Sequence, residues 1–340
     1  MILSFAVYSL CLFPPIIFGF IAREYSQKQR LLVNLLVFFP AFIFAALRDS
    51  SVGTDTNMYR GYFEVLERRE SFGLDQFYYY FQLIIKSFGG NFQIFLFFQA
   101  MFCWIFYSIG AAKTDKKLPL LVVGLLPVIM VDATFNGLRY GMAFAFAVFV
   151  LSNIKKPKNI FQTLFYLAPG MFHSSMLVLM LATASGLFVL GTVIFGLALS
   201  PKFYYLFEYF FYKANDYADM ERTSWFSGLV PIIQISIILL IGRVVGVRFK
   251  YGVNLFTVSV VIAGISILVA FYSMSALRFV QVALFLLTIA VSREIVEDKS
   301  NGRAVYLVLL LGMLGVTNFM RQIFLVGPAG NVFFVPYIFY

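Results

Sequence analysis

RLLVNLLVFFPAFIFAALRDSSVGTDTNMY, residues 30–59, decides the fold class. Residues 31–47 carry no charge, and the run is opened by Arg30 and closed by Arg48-Asp49. A helix of that kind fits a hydrocarbon core of roughly 30 Å, with its charged ends at the two interfaces. The turn chemistry that follows, Asp49-Ser50-Ser51-Val52-Gly53-Thr54-Asp55, then leaves the bilayer on the far side from Arg30.

The rest of the 340 residues repeats this pattern. Hydrophobic residues make up 61% of the chain and charged residues 12%, against roughly 45–50% and about 25% in soluble domains. Polar surface is too scarce to cover a globule in water. The expected fold is an all-α polytopic membrane protein, residues 1–340 forming a single integral membrane domain. The first run, residues 2–22, has no basic segment before it and no small-residue cleavage site after it, so it reads as a retained helix. Further runs cover about 91–112, 118–132, 138–153, 160–200, 228–242, 251–272, 278–292 and 304–320. Several fall short of the ~20 residues of a straight span, which predicts helices that stop early beside a cavity.

Lys and Arg set the orientation. Five short links each carry three: Arg23, Lys28, Arg30; Lys113, Lys116, Lys117; Lys155, Lys156, Lys158; Arg243, Arg248, Lys250; and Arg293, Lys299, Arg303. Assigning these to the cytoplasm puts loops 48–90 and 201–227 outside it. Parity then requires an odd number of crossings between 160 and 200. One helix there would run about 61 Å, so three short segments are expected, broken at Phe172-His173-Ser174 and Ser185-Gly186. The total is about 12 transmembrane helices, with both termini outside. The apolar tail 323–340 leaves room for a thirteenth.

Within loop 48–90, apolar residues recur at three- and four-residue steps (Tyr62, Phe63, Leu66; Phe77, Tyr80, Phe81, Ile84, Ile85), predicting amphipathic helices in the interface. Loop 201–227 is rich in tyrosine and carries Trp225. These aromatics form an interfacial belt or stack on sugar rings.

Net charge is +10, which in such a chain reflects topology and anionic lipids; no nucleic-acid motif is present. Two cysteines in apolar runs, Cys11 and Cys103, and a single histidine leave neither a disulfide framework nor a metal-ligand cluster. No metal and no cofactor is expected.

Three polar blocks carry chemistry. Arg48 to Tyr59 joins one arginine, the carboxylates of Asp49 and Asp55, and hydroxyls around a Gly-containing turn. Backbone amides and Arg48 there can grip a phosphate; alternatively Arg48 snorkels to headgroups and an aspartate caps the next helix. Asn136-Gly137-Leu138-Arg139 turns between two apolar runs. An arginine there needs water or a partner, an anionic substrate or, more plainly, Asp132. Phe172-His173-Ser174-Ser175 puts the one imidazole at an expected helix break, as a proton acceptor or a hydrogen-bond donor. Arg278 and Arg321 lie at outer ends of late helices, where each serves as lipid anchor or anion contact. Four outer arginines suggest one polyanion, and a membrane-held diphosphate has the right charge and depth.

Arg48-Asp49, Val52-Gly53 with Asp55, Tyr59, Asn136-Gly-Leu-Arg139 and Phe172-His173-Ser174, in this order and at these intervals, resemble the EpsG family of Wzy-type polysaccharide polymerases. The resemblance spans about residues 30–200. Tyr140 stands where the family more often has Gln, a departure that touches substrate fit. The resemblance implies a multi-pass enzyme of the bacterial inner membrane with its active face in the periplasm, where loops 48–90 and 201–227 would then lie. Such an enzyme is a glycosyltransferase joining undecaprenyl-diphosphate-linked oligosaccharide repeat units, for O-antigen or a related surface polysaccharide. Its partners would be those lipid-linked glycans, membrane lipids and a chain-length regulator. The expected diphosphate contacts are Arg48, Arg139, Arg278 and Arg321, the substrate contacts Tyr59 and Asn136, and the candidate base His173, Asp49 or Asp55. A lipid-linked oligosaccharide flippase is the first alternative, disfavoured because acidic residues are scarce at mid-membrane depth. A membrane O-acyltransferase is the second; it has no need of four outward arginines.

Overall fold

The computed structural model describes residues 2–21, 25–53, 55–66, 75–113, 131–154, 157–173, 175–183, 230–244, 246, 253–270 and 276–297, with 310, 313, 316, 317, 337 and 338. Among these residues there are α-helices, one 3-10 turn and no strand. The order is α1 (Ile2–Ile21), α2 (Gln27–Leu47), α3 (Thr56–Glu64), α4 (Gln76–Ser87), α5 (Phe92–Lys113), α6 (Asp132–Phe135), α7 (Leu138–Asn153), α8 (Ile160–Leu167), the 3-10 turn Ala168–Met171, α9 (Ser175–Thr183), α10 (Val230–Val244), α11 (Val253–Ala270) and α12 (Ala276–Glu297). By length and apolarity α2 and α5 can each cross a membrane. Shorter apolar stretches, Leu3–Phe18, Leu138–Asn153, Asn254–Ile267 and Val280–Val291, lie in α1, α7, α11 and α12.

Local signals start these helices where the chain needs them. Ser26 and Gln29 form a reciprocal capping box that opens α2 beside the first basic link. Asn159 caps α8 by accepting from the Gln162 amide at 2.9 Å. Asn91 does the same for α5 through Ile94 N, also at 2.9 Å.

The core is built on α5. Its Trp104 stacks on Phe42 of α2 at 4.9 Å between centroids and donates its indole N–H to Leu35 O at 2.9 Å. On the other side Gly110 lies so near α7 that a Cβ would stand 2.8 Å from Val148 Cγ1. Small residues allow such approach between apolar helices, where packing rather than water drives association. Meanwhile Leu32, Leu36 and Phe39 of α2 point outward and are exposed. In a membrane protein that is the lipid-facing stripe, since lipid tails are as apolar as the core.

The helix ends sort by charge. Lys28 at the start of α2 and Lys113 at the end of α5 line one common groove, and Lys113 Nζ bonds Asn153 Oδ1 at the end of α7. The opposite ends of the same helices, Arg48, Asn91 and Leu138, gather at the other pole, to which Tyr337 and Ser4 also belong: Tyr337 N donates to Ser4 Oγ at 2.9 Å, and Asp49 N to Ile338 O at 2.9 Å. Both chain ends therefore lie at the Arg48 pole.

Two expected features recur in the structure. The block from residue 160 breaks at Phe172-His173, between the 3-10 turn and α9. Loop 48–90 folds into the expected helices α3 and α4, but of the expected apolar faces Phe63, Leu66 and Ile85 are buried, beside Thr56, Tyr59, Tyr78 and Gln82, while Phe77, Tyr80 and Ile84 are exposed. The run at 118–132 except its end, the break at Ser185-Gly186, loop 201–227, the run at 304–320 apart from a few residues, and most of the tail 323–340 lie outside the described residues. The helix total here is not a count of crossings, because α3, α4 and α6 are each too short to span a bilayer.

Candidate functional site

The Arg48 turn and the Asn136 turn, far apart in sequence, are packed into one unit. Gly53 makes this possible. It adopts φ +101°, and a Cβ would stand 2.8 Å from Asn136 Oδ1, Phe135 O and Thr56 Oγ1 alike. Only glycine fits that conformation at that distance. Thr56 Oγ1 donates to Phe135 O at 3.1 Å, which ties the start of α3 to the end of α6.

Arg48 sits beneath this junction with no exposed surface. Its Nη2 donates to Phe135 O at 3.1 Å and Thr134 O at 3.4 Å, its Nη1 bonds Ala45 O, and its guanidinium lies 5.2 Å from the Phe135 ring centre. The guanidinium thus satisfies carbonyls that the ends of α2 and α6 leave without helix partners. This corrects both readings of the sequence: Arg48 neither snorkels to headgroups nor stands where a phosphate could touch it. It braces the turn from within.

Arg139 is placed differently. Its Nη1 donates to Asp75 Oδ2 at 2.7 Å, the guanidinium lies 5.7 Å from the Tyr59 ring centre, and the side chain retains 18% exposure against 5% for Asp75. The plain pairing considered for Arg139 was Asp132; the partner the described residues show is Asp75, the residue that opens α4. Asp132's side chain lies outside the described residues. Asp75 was missed because it belongs to a loop with no polar motif. Its position immediately before the amphipathic stretch of α4 was the available signal.

Tyr59, expected to touch substrate, is buried between Arg139 and Tyr78, 6.0 Å from the latter's ring. Asn136 is buried against Gly53. Both shape the wall behind Arg139 and do not face open solvent.

His173 reaches the same region through the residue after Arg139: the Tyr140 and His173 rings meet edge to face at 5.2 Å. The backbone N–H of Ser175 donates to His173 Nδ1 at 3.3 Å, and Ser175 Oγ lies 2.8 Å from the same nitrogen. An amide N–H can only donate, so Nδ1 is the accepting nitrogen and the proton of the neutral ring rides on Nε2. The helix break thereby turns His173 Nδ1 toward the start of α9. Phe172, just before it, packs on Phe77 of α4 at 5.5 Å, so α4 also buttresses the break.

Asp49 and Asp55 lie on the exposed side of the turn. Asp49 Oδ1 accepts from Ser51 N at 2.8 Å, and hydrogen bonds from Ser51, side chain first and then backbone, hold its carboxyl below the ordinary aspartate range. Asp55 is the residue before α3, and its carbonyl takes the Tyr59 amide at 3.0 Å. The side chain of Arg278, in the first turn of α12, and the whole of Arg321 lie outside the described residues. Among the described residues no three His, Cys, Asp or Glu side chains converge as metal ligands would.

A helical bundle with two helices long and apolar enough to span a membrane, a buried arginine brace and a partly exposed Arg139–Asp75 pair at one pole is consistent with a helical membrane protein. The sequence profile of the EpsG family matches residues 31–339, nearly the whole chain. The chain belongs to the EpsG family, whose members are Wzy-like polymerases and glycosyltransferases. No curated protein and no solved structure matches it.

Proposed function

We propose that the chain is a Wzy-type polysaccharide polymerase of the bacterial inner membrane. It transfers a growing glycan from undecaprenyl diphosphate to a hydroxyl of a single lipid-linked repeat unit, at the periplasmic end of the bundle. The observation that carries this reading is Arg139, a cation tied to Asp75 yet still open to solvent at the pole where His173 and the Asp49 turn also gather.

In the reaction, the bond from the anomeric carbon to the diphosphate oxygen breaks, and the leaving group keeps the electron pair. A bond from the acceptor oxygen to that carbon replaces it. Negative charge develops on the diphosphate, and a fixed guanidinium in a partly dry site stabilises it without reorganising. Arg139 takes that role, with Arg278 and Arg321 as further contacts by sequence position. His173 Nε2–H donates to a phosphate oxygen or a sugar hydroxyl. Asp49 or Asp55 receives the acceptor's proton; the Ser51 hydrogen bonds keep Asp49 ionised at neutral pH. Arg48, Tyr59 and Asn136 hold this frame from behind. The chemistry asks for no metal, and a chain-length regulator would dock at the same pole.

The test is the glycan made by a strain lacking the gene. A polymerase loss leaves lipid-linked glycans capped at one repeat unit on the outer face. Units stranded inside would favour a flippase, and unchanged chain length with lost acylation would favour an O-acyltransferase.

A further inference from the structure

A second charged recess lies across α3 from Arg139. Helix α3 turns Tyr59 inward to that arginine, and one residue later Arg60 points to the opposite side. There a groove of about 340 Å³ is lined by Ser50, Arg60, Glu64, Lys86, Asn91 and Gln93, among others, at the low end of volumes that hold small ligands. We infer that this groove binds the phosphate head of a lipid, and, resting on the polymerase reading above, that this lipid is the second lipid-linked glycan of the reaction.

Three features argue for an anion. Arg60 is fixed rather than loose: its Nη1 donates to Ser50 Oγ at 3.1 Å and its Nε to Glu64 Oε1 at 2.9 Å. Lys86 is anchored by the Phe63 and Glu64 carbonyls at 3.3 and 3.0 Å, which closes the C-terminal end of α3 and holds the ammonium at the groove wall. Asn91 and Gln93 place the recess at the N-terminus of the membrane-crossing helix α5, the positive end of its dipole. Gly89, at φ +76°, and Gly90, where a Cβ would stand 2.7 Å from Ile85 Cγ2, turn the chain tightly enough to bring Lys86 and Asn91 to the same recess.

Two features argue that the anion is carried by a lipid. The groove's own lining includes Phe63 and Phe92, and the apolar residues next in sequence to its lining are exposed, Phe88 at 87% and Ile84 and Val65 as well. Such apolar surroundings suit acyl or prenyl chains beside a headgroup. Among the described residues, Glu64 is the one acidic side chain lining the groove. Its pair with Arg60 is about half exposed on both sides, and an exposed pair of that kind is weak enough for a phosphate to displace. A reaction that joins two lipid-linked glycans has two diphosphates to hold, and α3 stands between two cationic recesses.

The experiment is native mass spectrometry of the full-length protein in detergent, titrated separately with farnesyl diphosphate and with phosphatidylglycerol. The wild-type protein should bind two farnesyl diphosphates. The Arg60→Gln/Lys86→Gln variant should keep one and lose the other, with Arg139→Gln losing the complementary one. Glu64→Gln should tighten the groove's affinity, by about threefold for loss of one exposed opposing charge, a gain that misfolding cannot imitate. Loss of phosphatidylglycerol adducts alone in the double variant would overturn the substrate assignment and make the recess a site for bilayer phospholipid. Unchanged binding of both probes, with Glu64→Gln inert, would overturn the site altogether. Two diphosphates bound by a protein that makes no polymer from lipid-linked repeat units would instead reject the polymerase reading and leave the phosphate site standing.

Discussion

Arg139 Nη1 lies 2.7 Å from Asp75 Oδ2, so the first turn of α7 is tied to the residue that opens α4. The pair sets where the site's cation points. Removing the carboxylate leaves a mostly buried guanidinium without its partner, a change that costs about 3–5 kcal/mol when fully buried and less here, where Arg139 keeps some exposure. Asp75→Ala should lower both thermal stability and polymer yield. Asp75→Asn, which retains an accepting oxygen, should fall between it and wild type. Equal yield from all three at equal expression would mean that the pair does not orient Arg139.

Gly53 offers a test of the packed turns that is independent of charge. Gly53→Ala puts a methyl within 2.8 Å of three oxygens at φ +101°, and the backbone conformation alone costs roughly 1–2 kcal/mol. The variant should melt lower and lose most activity. Gly61→Ala, with nothing near its Cβ position, is the control. A wild-type melting profile for Gly53→Ala would contradict the close docking of the two turns.

His173 is a donor in this account. His173→Gln, whose amide can supply an N–H near the Nε2 position, should retain far more turnover than His173→Ala, and the wild-type rate should show no limb near the ordinary histidine pKa of about 6.5. A general base would behave oppositely, with Gln as damaging as Ala, typically 10²- to 10⁴-fold, and a rate rising through that pH.

The orientation of the bundle is tested by thiol labelling. Ser87 and Asn159 are both exposed, at the end of α4 and the start of α8. In a cysteine-free background, cysteine at Ser87 should react with an impermeant reagent added to intact spheroplasts, and cysteine at Asn159 only after lysis. Labelling at Asn159 from outside would invert the assignment.

The all-helical, apolar character of the described chain was legible because hydrophobic length is a local property of the sequence. The break at Phe172-His173 could be read for the same reason: a run too long for one span must turn somewhere polar. The site was legible as blocks but not as roles. Arg48 and Arg139 look alike in sequence, each at the polar end of an apolar run, and only the fold sends one beneath the Phe135 carbonyl and leaves the other partly exposed beside Asp75. Asp75 could not be assigned because a salt-bridge partner 64 positions away carries no periodic signal. The groove at Arg60 and Lys86 was equally hidden, since it forms only when α3, α4 and α5 meet.

The central claim is that Arg139 stabilises a departing diphosphate in a polymerisation. It is tested most directly by purified protein in proteoliposomes supplied with a lipid-linked repeat unit, the products resolved as a glycan ladder. Wild type should extend units into a ladder, and Arg139→Lys, which keeps the charge but loses the planar fork, should extend them far more slowly at equal protein. A near-normal ladder from Arg139→Ala would contradict the account.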